Sequence, residues 1–484
     1  MSRLVNHLDK KKITRIVITL FLFLILGFII LNFNTTTPRS KPSNFLCSDP
    51  EPFYVGVTYC GDSVAEAKQL IDKVKDYTNL FVIQSGTLQS EPEILNEICD
   101  YAVNSGLYFM VYFGNQHWNY RNNWLLTFKD AWSGKFLGVY FGDEPGGKML
   151  DGNIGFFDEK TSSEIKRYED GTVCRSIYLD NNTAIAYYSN ATIVTILSGS
   201  FQQDTLTLGN SYYTYYYSNG TITAVIETPE YEIIPIENPS PMYTYDELLD
   251  LRPFQTYDEI AKMFVERCES YFGMGIRDYW ILPSLTSDYA LYWFDYLSGY
   301  DAVMAQVGWN NTFAQDIALV RGAANLQNKS WGIIVTWKYN HPPYLDTGEA
   351  IFEQMQNSYI AGAKYSLIFN YADDMTEPYG TLQEEHFTAL ESFWNEVVQN
   401  PDVTQGSIKA ETVLVLPENY GWGMRDPNDK IWGFWGPDEK SSQIWESSQS
   451  LLKQYGLGLD IVYEDSEFPV DGKYSNIFYW NQTQ

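Results

Sequence analysis

The chain has 484 residues, with 61 Asp and Glu against 32 Lys and Arg and a formal charge of −29. That balance argues against a nucleic-acid partner, whose phosphates require a basic surface, and the length suffices for two or three domains with a large core. Aromatic residues make up 16 %, with 38 Tyr and 14 Trp, an abundance common to sugar-binding clefts and to ordinary cores.

Residues 14–33 carry an apolar run from Ile16 to Leu31, interrupted only by Thr19 and Gly27. With its flanks the run is about 20 residues, enough to span a bilayer. Lys10, Lys11, Lys12 and Arg15 cluster at its start, so the positive-inside rule predicts a cytoplasmic tail at 1–13 and an extracytoplasmic chain beyond. A cleaved signal peptide would need a clear small-x-small site after the run; an uncleaved anchor in the cell membrane is the preferred reading. Sequons begin at Asn34, Asn181, Asn190, Asn219, Asn310, Asn328 and Asn481, all on the far side of the span, as an exported glycoprotein would have them. The five cysteines are widely spaced without a CxxC, which predicts no zinc site and no assignable disulfide.

Residues 34–50 are polar and proline-bearing, a stalk. A strand–helix rhythm then begins. Strands are predicted at 53–59, 80–84, 107–113, 136–142, 279–283, 302–307, 331–337 and 365–370, each a nearly continuous apolar run of the kind parallel strands covered on both faces require. Helical patterns fall between them at 63–77, 91–105, 257–272, 311–328, 347–362 and 381–399. Eight strand–helix units in about 350 residues predict a (β/α)₈ TIM barrel over 51–400.

One interval breaks the rhythm. Between Gly147 and Tyr257 lie Tyr-rich runs with turn signals, including Asn219-Gly220, a good hairpin turn. The expectation is a β-rich insertion at 150–255 after strand four, either capping the barrel mouth, binding a partner or decorating the surface. After Asn400-Pro401-Asp402, further strand and helix patterns predict a small α/β domain at 408–484. Its long loop carries Trp422, Trp432, Trp435 and Arg425, residue types that clamp sugars or that pack one domain onto another.

Chemistry in such a barrel belongs to the loops after the strands. The sharpest motif is Phe136–Gly147, FLGVYFGDEPGG, where an apolar strand stops on Asp143-Glu144-Pro145. Side-chain alternation puts Tyr140, Gly142 and Glu144 on the interior face and Val139, Phe141 and Asp143 on the helix-covered face, so Glu144 is the acid aimed at a substrate and Asp143 should matter less. The other strand ends supply Asn115, His117, Trp118, Gln306, Trp309, Trp337, Tyr339, His341 and Asn370, a hydrogen-bonding pocket with aromatic walls, together with Asp373 and Asp374. No phosphate loop, dinucleotide fingerprint or GxSxG elbow is present, and two distant histidines predict neither a metal nor any other cofactor.

With the barrel rhythm, GVYFGDEP at strand four and the α/β domain that follows, residues 53–479 resemble the TIM-barrel glycoside hydrolases. That resemblance implies that Glu144 is the catalytic acid/base. Many such enzymes carry a second Glu at the end of strand seven, where this chain reads Thr336-Trp337-Lys338-Tyr339-Asn340. The partner would then be Asp373 or Asp374, Asp143, or Glu418. The expected function is a membrane-anchored extracytoplasmic glycosidase that acts on carbohydrate by paired carboxylates. The alternative is a glycan-binding or structural ectodomain that keeps the barrel without the chemistry.

Overall fold

A computed structural model describes residues 52–482, apart from 87, 89–90, 114–117, 129, 133, 152–154, 159–162, 168–172, 179–182, 189–192, 199–211, 219–220, 227–253, 274–281, 309–311, 340–342 and 372–378, and apart from the side chains of 118–120, 122, 155–226 and 270–273. Strands β1 (Tyr54–Tyr59), β2 (Leu80–Ile83), β3 (Tyr108–Phe113) and β4 (Phe136–Phe141) alternate with helices α1 (Val64–Val74), α2 (Pro92–Asn104), α3 (Trp118–Phe128) and the short α4 (Pro145–Leu150). Seven strands follow, β5 (Gly155–Asp158), β6 (Ser163–Arg167), β7 (Val173–Tyr178), β8 (Thr183–Tyr188), β9 (Ile193–Ser198), β10 (Tyr212–Ser218) and β11 (Thr221–Ile226). The barrel resumes with α5 (Tyr257–Gly273), β12 (Ser284–Asp288), α6 (Tyr292–Leu297), β13 (Ala302–Val307), α7 (Phe313–Leu326), β14 (Ser330–Val335), α8 (Gly348–Ile360), β15 (Tyr365–Ile368) and α9 (Glu384–Phe393).

The eight barrel strands close in the order β1-β15-β14-β13-β12-β4-β3-β2, every pairing parallel. Apolar runs explain the closure: β1, β2 and β13 are buried along their whole length, Val, Leu and Ile filling the interior on one face and meeting helices on the other. Tyr54, Leu80, Val82, Met110, Leu285, Met304, Ile334 and Leu367 form the cluster inside the barrel, and β4 sends Tyr140 to that cluster while Val139 and Phe141 join the helix-facing core.

Strand β12 corrects the sequence expectation. Its five residues, Ser-Leu-Thr-Ser-Asp, are all buried and lie just after the apolar 279–283 stretch. Four of the five are polar, so apolar patterning does not reach them; residues 279–281 of the expected strand lie outside the described residues. Burial is tolerated because the polar groups are paired: Thr286 Oγ1 donates to Gly142 O at 2.7 Å, and Ser287 and Asp288 bond into the site described below.

The strands after β4 form one antiparallel sheet, β11-β10-β9-β8-β7-β6-β5, with β10 and β11 paired from Tyr213–Ile226 to Ser218–Thr221; Asn219-Gly220 itself lies outside the described residues. At the C-terminal end β16 (Thr412–Leu416), β17 (Leu459–Tyr463) and β18 (Asn476–Tyr479) form a parallel sheet in the order β17-β16-β18, with α10 (Glu439–Tyr455) between β16 and β17. This sheet lies within one compact unit with the barrel, Phe53–Gln484. Gly322 permits the contact, because a Cβ there would sit 2.8 Å from Val462 Cγ1 and 3.0 Å from Ile461 O. Buried Arg321 on α7 reaches across to Asp460 at 2.8 Å and to Leu457 O and Leu459 O at 2.7 and 3.0 Å. The Trp-rich loop packs as well: Trp432 is fully buried, its ring 4.5 Å from Phe294 and 5.7 Å from Phe264, and Arg425 is clamped by Asp429 and Asp151. Of its two sequence readings, packing is the one seen.

Among the described residues no helix is long and apolar enough to cross a membrane. The predicted span at 14–33 lies outside them.

Candidate functional site

The motif GDEPGG is a sequence of backbone requirements. Gly142 has φ +65° and Glu144 has φ +54°, a region glycine enters freely and other residues enter only when their surroundings hold them. Pro145 then opens α4 at a position where its missing N–H costs nothing. Gly146 and Gly147 come next, and their N–H groups donate to Asp288 Oδ2 at 2.5 Å and Oδ1 at 2.8 Å. A Cβ on Gly146 would lie 2.4 Å from Ala290 O, and one on Gly147 2.1 Å from the Tyr289 ring. Only glycines let α4 come down onto the end of β12.

This local winding corrects the expectation for Asp143. The strand stops at Phe141 and Gly142 turns the chain, so alternation does not extend to the acids. Asp143 and Glu144 both line one cavity of about 450 Å³ at the C-terminal end of the barrel. Lys148, one turn into α4, holds them together: Nζ stands 3.2 Å from Asp143 Oδ2 and 3.6 Å from Glu144 Oε2 and donates to Asp143 O at 2.7 Å. The two carboxylates therefore approach within about 7 Å of each other.

Three adjacent strands complete the arrangement. Gln306 on β13 donates from Nε2 to Glu144 Oε1 at 2.7 Å and to Ser287 Oγ at 3.0 Å. Tyr140 Oη lies 2.6 Å from Ser287 Oγ and donates to Asp143 Oδ1 at 3.2 Å. The result is a closed polar ring, Glu144–Gln306–Ser287–Tyr140–Asp143–Lys148, in which each acid has a distinct donor. Burial raises the Glu144 carboxyl above its ordinary value and the neighbouring Asp143 charge raises it further; Lys148 and the Gln306 amide oppose both. Burial also places the Tyr112 and Tyr140 phenols higher than usual, so both remain neutral.

Behind the acids lies a second pair. Asp288, fully buried, accepts from the N–H groups of Gly146, Gly147, Tyr289 and Ala290. Burial pushes its carboxyl up to about 7 against those bonds. Asp295 on α6 is equally buried. Its oxygens meet no N–H or O–H donor, and its contact with Asp288 becomes a hydrogen bond only when one carboxyl is protonated. Four N–H donors favour the anion on Asp288, so the proton resides on Asp295, which burial and the adjacent acid hold well above the carboxylate range.

The wall opposite the acids is aromatic. Trp337, Tyr344, Phe369 and Tyr371 line the cavity together with Thr336 and Thr381, and Trp337, Tyr339 and Tyr371 are 38 %, 39 % and 44 % exposed, a ring-bearing rim. Tyr339 stands beside the cavity, its N–H on Tyr344 O at 3.2 Å. Asn370 is behind the wall: it is buried, and Thr381 donates to its Oδ1 from N at 2.9 Å and from Oγ1 at 3.2 Å. Glu418 is exposed and is not a lining residue.

Of the residues singled out in the sequence, Tyr140, Asp143, Glu144, Gln306 and Trp337 meet at one cavity. Asn115, His117, Trp309, His341, Asp373 and Asp374 lie outside the described residues, as does the Trp118 side chain at the start of α3. Ser287 escapes a sequence reading because its strand is polar. Lys148 is legible in retrospect: Pro145 marks the first helical position, which puts Lys148 four residues after Glu144 on the same helical face. No protein-family model and no curated protein matches this chain.

Proposed function

We propose that the protein is a glycoside hydrolase in which Glu144 is the general acid/base and Asp143 the second carboxylate. One observation carries the reading: two carboxylates less than about 7 Å apart, joined through Lys148, face an aromatic wall at the C-terminal mouth of a barrel. The aromatic wall suits a sugar, whose C–H faces stack on rings while its hydroxyls reach Gln84, Gln306, Ser287 and the threonines.

In the first step protonated Glu144 gives its proton to the glycosidic oxygen, the bond from the anomeric carbon to that oxygen breaks, and an Asp143 oxygen bonds the anomeric carbon. In the second, water attacks that carbon, Glu144 takes the water proton, and the bond to Asp143 breaks, leaving the free sugar and both acids as they began. Desolvation and the Asp143 charge supply what the donor needs, a carboxyl still protonated where an exposed one would have ionised. The apolar run at 14–33 with its basic N-terminal flank supports an anchored enzyme with its barrel outside the membrane.

The test is a hydrolysis screen of the full chain in detergent against chemically diverse glycans, read by release of reducing ends. Release from one glycan class supports the proposal. Glycans that bind and stay intact across the screen would favour the binding-protein reading instead.

A further inference from the structure

Lys148 does more in this arrangement than bridge two acids, and what it does follows from where it stands. Its ammonium lies 3.2 Å from Asp143 and 3.6 Å from Glu144 and also donates to the Asp143 carbonyl, so it faces both acids and is tied to Asp143 at two points. Glu144, already raised by burial, feels the Asp143 charge and the opposing Lys148 charge together. We infer that Lys148 is a positioning residue that sets the proton affinity of Glu144, by offsetting the Asp143 charge that would otherwise hold the proton on Glu144 too tightly for it to be returned.

The inference rests on the hydrolase reading for its purpose. A group that must act as acid in one step and base in the next needs an affinity close to the working pH. Burial raises the affinity of Glu144 and Asp143 raises it again; Lys148 and the Gln306 N–H oppose them. Gln306 is neutral, so Lys148 is the compensating charge. Among the described residues Tyr344 and Tyr371 face this centre across the cavity, and the titratable groups around it on which burial acts are Tyr112 on β3, Tyr140 on β4, and Asp288 and Tyr289 at the end of β12. The phenols of Tyr112, Tyr140 and Tyr289 are held neutral by burial. Asp288 adds negative charge near Lys148 and Glu144, in the same direction as Asp143. The Lys148 side chain is 38 % exposed. Burial and the surrounding acids act on it in opposite senses, and the acids prevail to raise its affinity for its own proton, so its charge persists across the range in which Glu144 titrates.

The experiment compares wild type with Lys148→Met, which keeps the length and drops the charge, and Lys148→Arg, which keeps the charge. Two readouts are taken. The first is the alkaline limb of kcat/KM on whichever glycan is hydrolysed. The second is the protonated-carboxyl infrared band of Glu144 in the substrate-free protein, isolated by difference against Glu144→Gln. Losing one nearby charge should move the limb and the band upward by roughly one pH unit in Lys148→Met, with Lys148→Arg close to wild type. Asp143→Asn should move the band the other way. A limb and band unmoved in Lys148→Met overturn the assignment, because a lysine that merely ties down the strand end would not shift them. The infrared arm needs no turnover, so a chain without hydrolase activity still decides the role of Lys148, and the same band in Lys148→Gln, which also drops the charge, decides it should Lys148→Met not fold. Absence of hydrolysis by wild type bears on the hydrolase reading alone.

Discussion

Asp288 Oδ1 accepts the N–H of Gly147 at 2.8 Å, and this bond, with its twin from Gly146, seats α4 on the end of β12. Gly147→Ala places a methyl 2.1 Å from the Tyr289 ring. The helix must lift, and overpacking of this kind costs about 1–3 kcal/mol. Chemical denaturation should register that loss. Glu144 and Lys148 move with α4, so kcat/KM should fall more than the stability change alone accounts for. A Gly147→Ala protein with native stability and native turnover would show that the seat is not needed.

Asp295 is read as the neutral member of its pair, so Asp295→Asn should be nearly silent in acid, where Asp295 is protonated folded and unfolded alike, and should gain on wild type as pH rises. The pH dependence carries the sign. A carboxyl whose affinity is raised in the folded state adds stability below its unfolded value, about 3.9, and that contribution is lost as pH rises through the folded value. Wild type should therefore lose stability on the alkaline side, and Asp295→Asn should lose less of it. Thermal unfolding from acid to mildly alkaline pH makes the comparison; parallel curves for the two proteins would mean that Asp295 is not the protonated partner.

Arg321 and Asp460 form a buried ion pair at 2.8 Å with both side chains almost wholly removed from solvent. Burial pushes Asp460 up while Arg321 and Tyr474 hold it down. Arg321→Met leaves the buried carboxylate with the Tyr474 hydroxyl, which donates at 2.8 Å, and without its cation. The expected cost is about 3–5 kcal/mol, whereas replacing both partners with apolar residues should recover most of it. Equilibrium denaturation of the single and double variants separates the two outcomes, and a single variant as stable as wild type would contradict the role given to the pair.

The parts of this fold that were legible in the sequence were those governed by burial on two faces. Ala302–Val307 reads as a strand because both of its faces are covered, and it lies where expected. Ser284–Asp288 does not, because Ser287 points to the cavity and Asp288 caps a helix: hydrophobic pattern carries no signal where a strand is built for polar work. Alternation correctly turns Tyr140 inward and misleads three residues later, at Asp143, because Gly142 leaves the strand geometry at φ +65°. A GDEPGG string advertises two acids but not that two positive-φ residues will bring both into one cavity. Nor does it reveal Ser287, or that Lys148 and Gln306 meet the two acids, since those contacts join three strands and a helix.

The central claim is that Glu144 donates the proton, and turnover by Glu144→Gln on two substrates of the same sugar tests it most directly. One substrate carries the natural leaving group and one an activated aryl leaving group. Glutamine keeps the shape but has no proton to give, so hydrolysis of the natural linkage should fall by roughly 10²–10⁴-fold, the usual contribution of general acid catalysis, while binding persists. The aryl glycoside, which needs little protonation to depart, should retain much more of its cleavage rate. If Glu144→Gln hydrolyses the natural linkage as wild type does, Glu144 is not the acid.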